Sequence, residues 1–107
     1  MNITMNLYYT GKDGNALKFV KEMEESGTAA AIRAEKGNLR YEYFVSVDDP
    51  ETVLLIDSWT DQEALDVHHA SAMMNTIARL REKYDLHMKA ERYSKSEQEE
   101  DPSFLRK

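Results

Sequence analysis

The residues able to do chemistry in this chain are few. The histidines are His68, His69 and His87, the only tryptophan is Trp59, and there is no cysteine among the 107 residues. Without cysteine there is no thiolate nucleophile and no disulfide. His68 and His69 are adjacent, and side chains one residue apart on a helix point about 100° apart, so they do not converge on one metal. HExxH and facial-triad spacings are missing, and no metal site is expected. GxGxxG, GxxxxGK[ST] and GxSxG are missing too, which leaves a nucleotide cradle or a serine nucleophile without support. What remains is an imidazole that titrates near neutral pH, set among aromatic side chains.

His68 falls in the middle of the apolar stripe formed by Ala64 and Leu65, with Val67 at its edge, whereas His69 falls to the side and Asp66 faces away. His68 is therefore expected between a helix and a sheet, with His69 largely solvated. Two readings compete there: a core histidine bonded to a backbone carbonyl, or a proton acceptor facing a ligand. Trp59 is either core packing or the wall of a site for a planar molecule. Tyr41 and Tyr43 share a strand face, and Tyr9 and Tyr93 add to the strand tyrosines; each has an apolar body with a polar tip, yet strands favour tyrosine in any case. Asn6 and Arg40 are polar residues within strands, suited to an exposed face, a subunit interface or a substrate contact. Met73 and Met74 suit a flexible core or an adaptable pocket.

Periodicity supplies the elements that must position these groups. Ile3, Met5, Leu7 and Tyr9 alternate with polar neighbours and predict a half-buried strand, broken by Gly11-Lys12-Asp13-Gly14. Ala16, Leu17, Val20 and Met23 then recur at helical spacing. Ser26-Gly27-Thr28 interrupts that helix, and Ala29 to Ala34 offers a second short one, ended by Gly37-Asn38. Leu39–Val45 and Val53–Trp59 read as strands joined across the turn Asp48-Asp49-Pro50-Glu51, the latter apolar on both faces at its start and hence central. Thr60-Asp61-Gln62-Glu63 reads as a capping box, with Thr60 as the cap of a helix reaching about Ala70. Ser71 is placed to cap a continuation carrying Met73, Ile77, Leu80 and Tyr84, and Leu86–Tyr93 alternates as a last strand. The order β-α-β-β-α-β, with both helices split, predicts a ferredoxin-like α+β fold: an antiparallel sheet with helices on one face. If the other face carries Phe44 and Ile56, a second copy is its expected cover.

One domain over residues 1–93 accounts for the periodic part of the chain, and residues 94–107 are charged and aperiodic, expected as a mobile tail or as a strap whose Phe104-Leu105 anchors on a partner subunit. A net charge of −6 opposes nucleic acid and anionic membranes as partners. No stretch approaches the ~20 apolar residues of a membrane span. The first residues lack a basic start followed by an apolar run, so no signal peptide is expected and the location expected is cytoplasmic.

Two stretches carry a resemblance. Arg33-Ala34-Glu35-Lys36-Gly37-Asn38-Leu39-Arg40-Tyr41-Glu42 and Trp59-Thr60-Asp61-Gln62-Glu63-Ala64-Leu65-Asp66-Val67-His68-His69-Ala70-Ser71 resemble, in sequence and separation, two motifs of the antibiotic biosynthesis monooxygenase family, and the likeness extends over about residues 2–93. The resemblance implies a dimeric α/β barrel with a cavity between helices and sheet, no cofactor, and oxidation of a small quinol-like or polyketide-like aromatic by O2. The deprotonated substrate itself would give an electron to oxygen, while the protein positions it, excludes water and stabilises an oxyanion. On that likeness His68 is the base or oxyanion partner, Trp59 and Tyr41 line the cavity, and Asn6 and Arg40 are weaker polar candidates. Haem-degrading relatives use an Asn, a Trp and a His; here Asn6 matches the first, but His68 and Ala78 stand where the others are expected, which argues against haem. A further related group isomerises a phosphorylated quorum-sensing sugar, for which Arg33, Lys36 or Arg40 would supply cations. Outside catalysis altogether, the same barrel would serve as a ligand-binding or stress-response dimer.

Overall fold

The alternation of Ile3–Thr10 and of three later segments builds a single sheet in the computed structural model, which describes residues 2–94 and Ser103. The elements are β1 (Ile3–Thr10), α1 (Asn15–Glu25), α2 (Thr28–Arg33), β2 (Asn38–Val45), β3 (Thr52–Trp59), α3 (Gln62–His69), α4 (Met73–Lys83) and β4 (His87–Ser94). The strand order is β2-β3-β1-β4, with every neighbouring pair antiparallel. This is the ferredoxin-like arrangement expected from the element order. Residues of the predicted tail other than Ser94 and Ser103, Phe104-Leu105 among them, lie outside the described residues.

Period two sorts the sheet into two faces. Ile3, Tyr9, Tyr41, Val53, Leu55, Asp57 and Trp59 are buried on the face that the helices cover, joined there by Ala16, Phe19, Met23, Ala29, Ile32, Leu65, Ile77 and Leu80. The opposite face carries Asn6, Arg40, Phe44, Leu54 and Ile56, as the register dictates. β3 lies between β2 and β1, in keeping with its apolar start on both faces. Among the described residues no helix is long and apolar enough to cross a membrane.

Three local expectations give way to the structure. In α1 the buried stripe is Ala16, Phe19 and Met23, while Leu17 is 46% exposed. Phe19 is reached from Ala16 by a three-residue step, and its larger apolar area takes the core position. The cap of α3 is Asp61, not Thr60: the Asp61 carboxylate accepts from the Ala64 amide at 2.8 Å, so the Thr60–Glu63 box does not form. An ionised carboxylate is the stronger acceptor for the free amides of a first turn. Ser71 does not cap α4 by its side chain; its hydroxyl donates to the His68 carbonyl at 2.7 Å and closes the end of α3 instead.

The split between α1 and α2 has a local cause, and so does the seating of α3. Gly27, at φ +80°, ends the first turn of direction between α1 and α2. Gly37, at φ +87°, leads into β2, and its carbonyl accepts from the Thr60 amide at 2.8 Å. A Cβ on Gly37 would stand 2.5 Å from the Ala64 Cβ and 2.8 Å from Thr60 Oγ1. Only glycine meets both the left-handed backbone and the close approach of α3. Gly37→Ala should therefore lower stability by ~2–4 kcal/mol, combining left-handed strain with overpacking. Urea unfolding with a circular-dichroism readout measures this, and an unchanged midpoint would refute the argument.

Candidate functional site

Four side chains from three parts of the chain meet under the helices. Asp57 and Trp59 point the same way from β3, two residues apart, and the Trp59 indole Nε1–H donates to Asp57 Oδ1 at 2.7 Å. The His68 ring, from α3, lies on the indole with centroids 4.7 Å apart and planes at 25°. His68 Nδ1 lies 2.9 Å from Oε1 of Glu35, which arrives from the turn between α2 and β2. Trp59 is 0% exposed and both His68 and Asp57 are 3% exposed. The histidine is thus a buried residue whose ring contact is a carboxylate rather than a backbone carbonyl.

His68 and Asp57 each keep a second polar atom unengaged. Among the described residues His68 Nε2 and Asp57 Oδ2 make no hydrogen bond, and no side-chain nitrogen or oxygen there is both fully buried and unpartnered. Both atoms therefore border space that a solvent molecule can touch. A surface pocket of about 270 Å³ opens beside the cluster, lined by Glu35, Lys36, Gly37, Asp61, Ala64 and Val67 among others. Glu35 belongs to both the pocket wall and the cluster.

Burial pushes the Asp57 carboxyl up to about 6; the His68 charge and the Trp59 hydrogen bond pull it down, and Glu35 adds repulsion. Tyr41 faces the helices beside Asp57, opposite it in the β2–β3 register. Its hydroxyl accepts from Tyr43 at 3.5 Å, and burial first, then Tyr43, raise its pKa strongly, so the phenol stays protonated. Burial likewise takes Tyr9 to about 12.

Of the residues that the sequence nominates, His68 and Trp59 are in contact and Tyr41 stands one strand away. Asn6 and Arg40 lie across the sheet from them: Asn6 pairs with Ile56 and Glu91, and Arg40 with Ser58. The Arg40 guanidinium holds Glu42 at 3.0 Å and covers the Phe44 ring at 5.4 Å. Arg33 is bound to the Tyr41 carbonyl at 2.8 Å and to Glu24 at 2.8 Å. Asp57 and Glu35 escaped the sequence reading. Asp57 had a visible signal, because it continues the Val53, Leu55, Trp59 phase of a core-facing strand. Glu35 lies within the Arg33–Glu42 stretch, but nothing there points to His68, its partner 33 residues away. Among the described residues no group of three or more His, Asp or Glu is placed to hold a metal ion.

The four-stranded antiparallel sheet with its helices on one face and an imidazole stacked on an indole beneath them is a ferredoxin-like α+β domain. The profile described as antibiotic biosynthesis monooxygenase matches residues 2–80, and the chain belongs to that family. Solved structures share the fold. SnoaB, a cofactor-independent oxygenase from Streptomyces nogalater, is 18% identical with a TM-score of 0.75, over 91% of this chain and 95% of that one. A Pseudomonas aeruginosa protein is 24% identical with a TM-score of 0.75, over 89% of this chain and 94% of its own. A Deinococcus radiodurans protein bearing the same family name is 19% identical with a TM-score of 0.75, over 94% and 98% respectively. No curated protein matches the sequence.

The Asp57 shift has a sign that stability measurements can read. Its ordinary value is 3.8 and the folded value is about 6, so between these limits the folded chain binds more protons than the unfolded one. Its contribution is present below about pH 4 and is lost as pH rises through about 6. Asp57→Asn carries no such proton. Relative to wild type, the variant should gain on the order of 1–3 kcal/mol between pH 4 and pH 7. Urea titrations at the two pH values test this, and a pH-independent difference would sink it.

Proposed function

We propose that this protein is a cofactor-independent monooxygenase that uses O2 to oxidise a small quinol-like or polyketide-like aromatic, and that it works as a homodimer. The observation that carries the reading is the state of the His68 ring: buried, stacked on Trp59, held at Nδ1 and unpartnered at Nε2. Family membership supports the reaction class. In this reading Nε2 takes a proton from an activated ring carbon or hydroxyl, and the resulting anion gives an electron to O2. Recombination forms a carbon–oxygen bond, and for a ring methylene the balance is CH2 + O2 → C=O + H2O, with the abstracted proton returning to the departing water. Trp59 supplies an aromatic wall, and Tyr41, kept protonated by burial, can donate to the oxyanion.

The exposed sheet face enters as the surface where two copies meet, and Asn6 and Arg40 belong to it. Phe44, Leu54 and Ile56 are only half-buried there, an apolar strip that a partner would cover. Sedimentation velocity should find a dimer, and Ile56→Lys, which places a charge in that strip, should shift it towards monomer with an unchanged circular-dichroism spectrum. A wild-type monomer would remove the dimer from the reading.

The phosphorylated-sugar isomerase reading draws no support from the cations named for it. Arg33 and Arg40 are paired with Glu24 and Glu42, and Lys36 shares its pocket with Glu35, Asp61 and Glu63. One observation favours a non-catalytic binding dimer: Trp59 and Tyr41 are packed at 0% and 3% exposure, so a bulky ligand must open the interior. Oxygen uptake decides between them. Metal-stripped protein is given a panel of reduced quinones and anthrone-like phenols, and wild type is compared with His68→Ala. Uptake above the spontaneous rate that falls ~100-fold or more in the variant is expected. Uptake equal in the two proteins removes His68 from the chemistry, and no uptake from folded protein favours the binding dimer.

A further inference from the structure

Among the described residues Glu35 is the carboxylate in contact with the His68 ring, and although it lies in the Arg33–Glu42 stretch, the family resemblance gives it no role. Its Oε1 lies 2.9 Å from His68 Nδ1, with the side chains 15% and 3% exposed respectively. A carboxylate has no hydrogen to donate, so this contact requires the proton to sit on Nδ1. A neutral ring then presents Nε2 as a lone pair, and no hydrogen bond among the described residues engages Nε2. The stack on Trp59 fixes the ring plane, so Glu35 and the indole together set both which nitrogen is basic and where it points.

The charges around the ring fit this division. Asp57 faces it from β3 across Trp59, His69 stands 5.7 Å away on α3, and Glu35 faces it from the turn before β2. Among the described residues only Glu35 lies within hydrogen-bond distance of a ring nitrogen. When Nε2 accepts a proton, the imidazolium forms against a carboxylate already in hydrogen-bond contact. A carboxylate behind a histidine base in this geometry orients the ring and stabilises its charged form without itself taking the proton.

We propose that Glu35 is the positioning residue of the site, holding His68 in the Nδ1–H tautomer so that Nε2 acts as the base, an assignment that rests on the monooxygenase reading for its role but not for its geometry. The test is 15N nuclear magnetic resonance of the histidine rings in uniformly labelled protein at pH 8. Three histidines are present, and His68→Asn assigns the His68 pair by its disappearance. Wild type should show a protonated Nδ1 and an unprotonated Nε2 at His68. Glu35→Gln keeps the volume, but its amide can donate as well as accept, so the variant should lose that preference and shift towards Nε2–H. Wherever oxygen uptake is measurable, kcat in Glu35→Gln should fall at least about tenfold, with KM changed less.

An Nε2–H tautomer in wild type, or a tautomer unmoved by Glu35→Gln, overturns the positioning role whatever the oxygen assay gives. The expected tautomers without any oxygen uptake would sustain Glu35 as the positioning residue and defeat only the monooxygenase reading.

Discussion

A carboxylate buried at the centre of a sheet is the constraint around which this site is arranged. Asp57 is 3% exposed on an internal strand, where an unpaired charge is expensive. One oxygen is satisfied by the Trp59 indole at 2.7 Å, two residues along the same strand face. That bond holds the indole edge toward Asp57 and turns its flat face to the helix above. The His68 ring settles on that face, and the positive form of the ring favours the ionised state of Asp57. Strand period, indole geometry and imidazole position therefore follow one after another from a single buried acid.

The other determinant is the distance between α3 and the loop ahead of β2. Gly37 lets the Ala64 methyl approach where any side chain would intrude, and the Thr60 amide ties the two segments together. Asp61 caps the helix that results, while Ser71 closes its far end on the His68 carbonyl. His68 thus sits in a short helix fixed at both ends. Glu35, two residues before Gly37, is carried to the ring by the same close approach. The pocket at this junction is a by-product of two elements meeting at a glycine rather than at a larger residue.

Much of this was legible in the residues. Alternation and helical spacing gave the order of strands and helices, because a two-layer fold writes its burial pattern into the chain with periods of two and 3.6. The inward turn of His68 followed from Ala64 and Leu65. The choice between Leu17 and Phe19 in α1 did not, since both fit an amphipathic stripe and tertiary packing selects the larger ring. The cap at Asp61 lay within the stretch recognised as a helix start, one residue from the expected position. The sequence nominates Asn6 and Arg40 beside His68, but strand parity places them on the other side of the sheet. That parity was readable, because Asn6 is out of phase with Ile3, Met5 and Leu7. The pairing of Glu35 with His68 depends on three-dimensional closure, which no local pattern encodes.

The two sides of the Glu35–His68 contact come from opposite halves of the β-α-β-β-α-β chain, 33 residues apart. Trp59 belongs to the strand that links those halves. A nascent or partly opened chain that holds either half alone therefore cannot assemble the imidazole with its carboxylate, since closing so long a loop precedes the contact. The site is complete only when the whole sheet is zipped. Its geometry reports on the integrity of the entire domain, and loosening at a remote strand would be felt there before the secondary structure itself is lost.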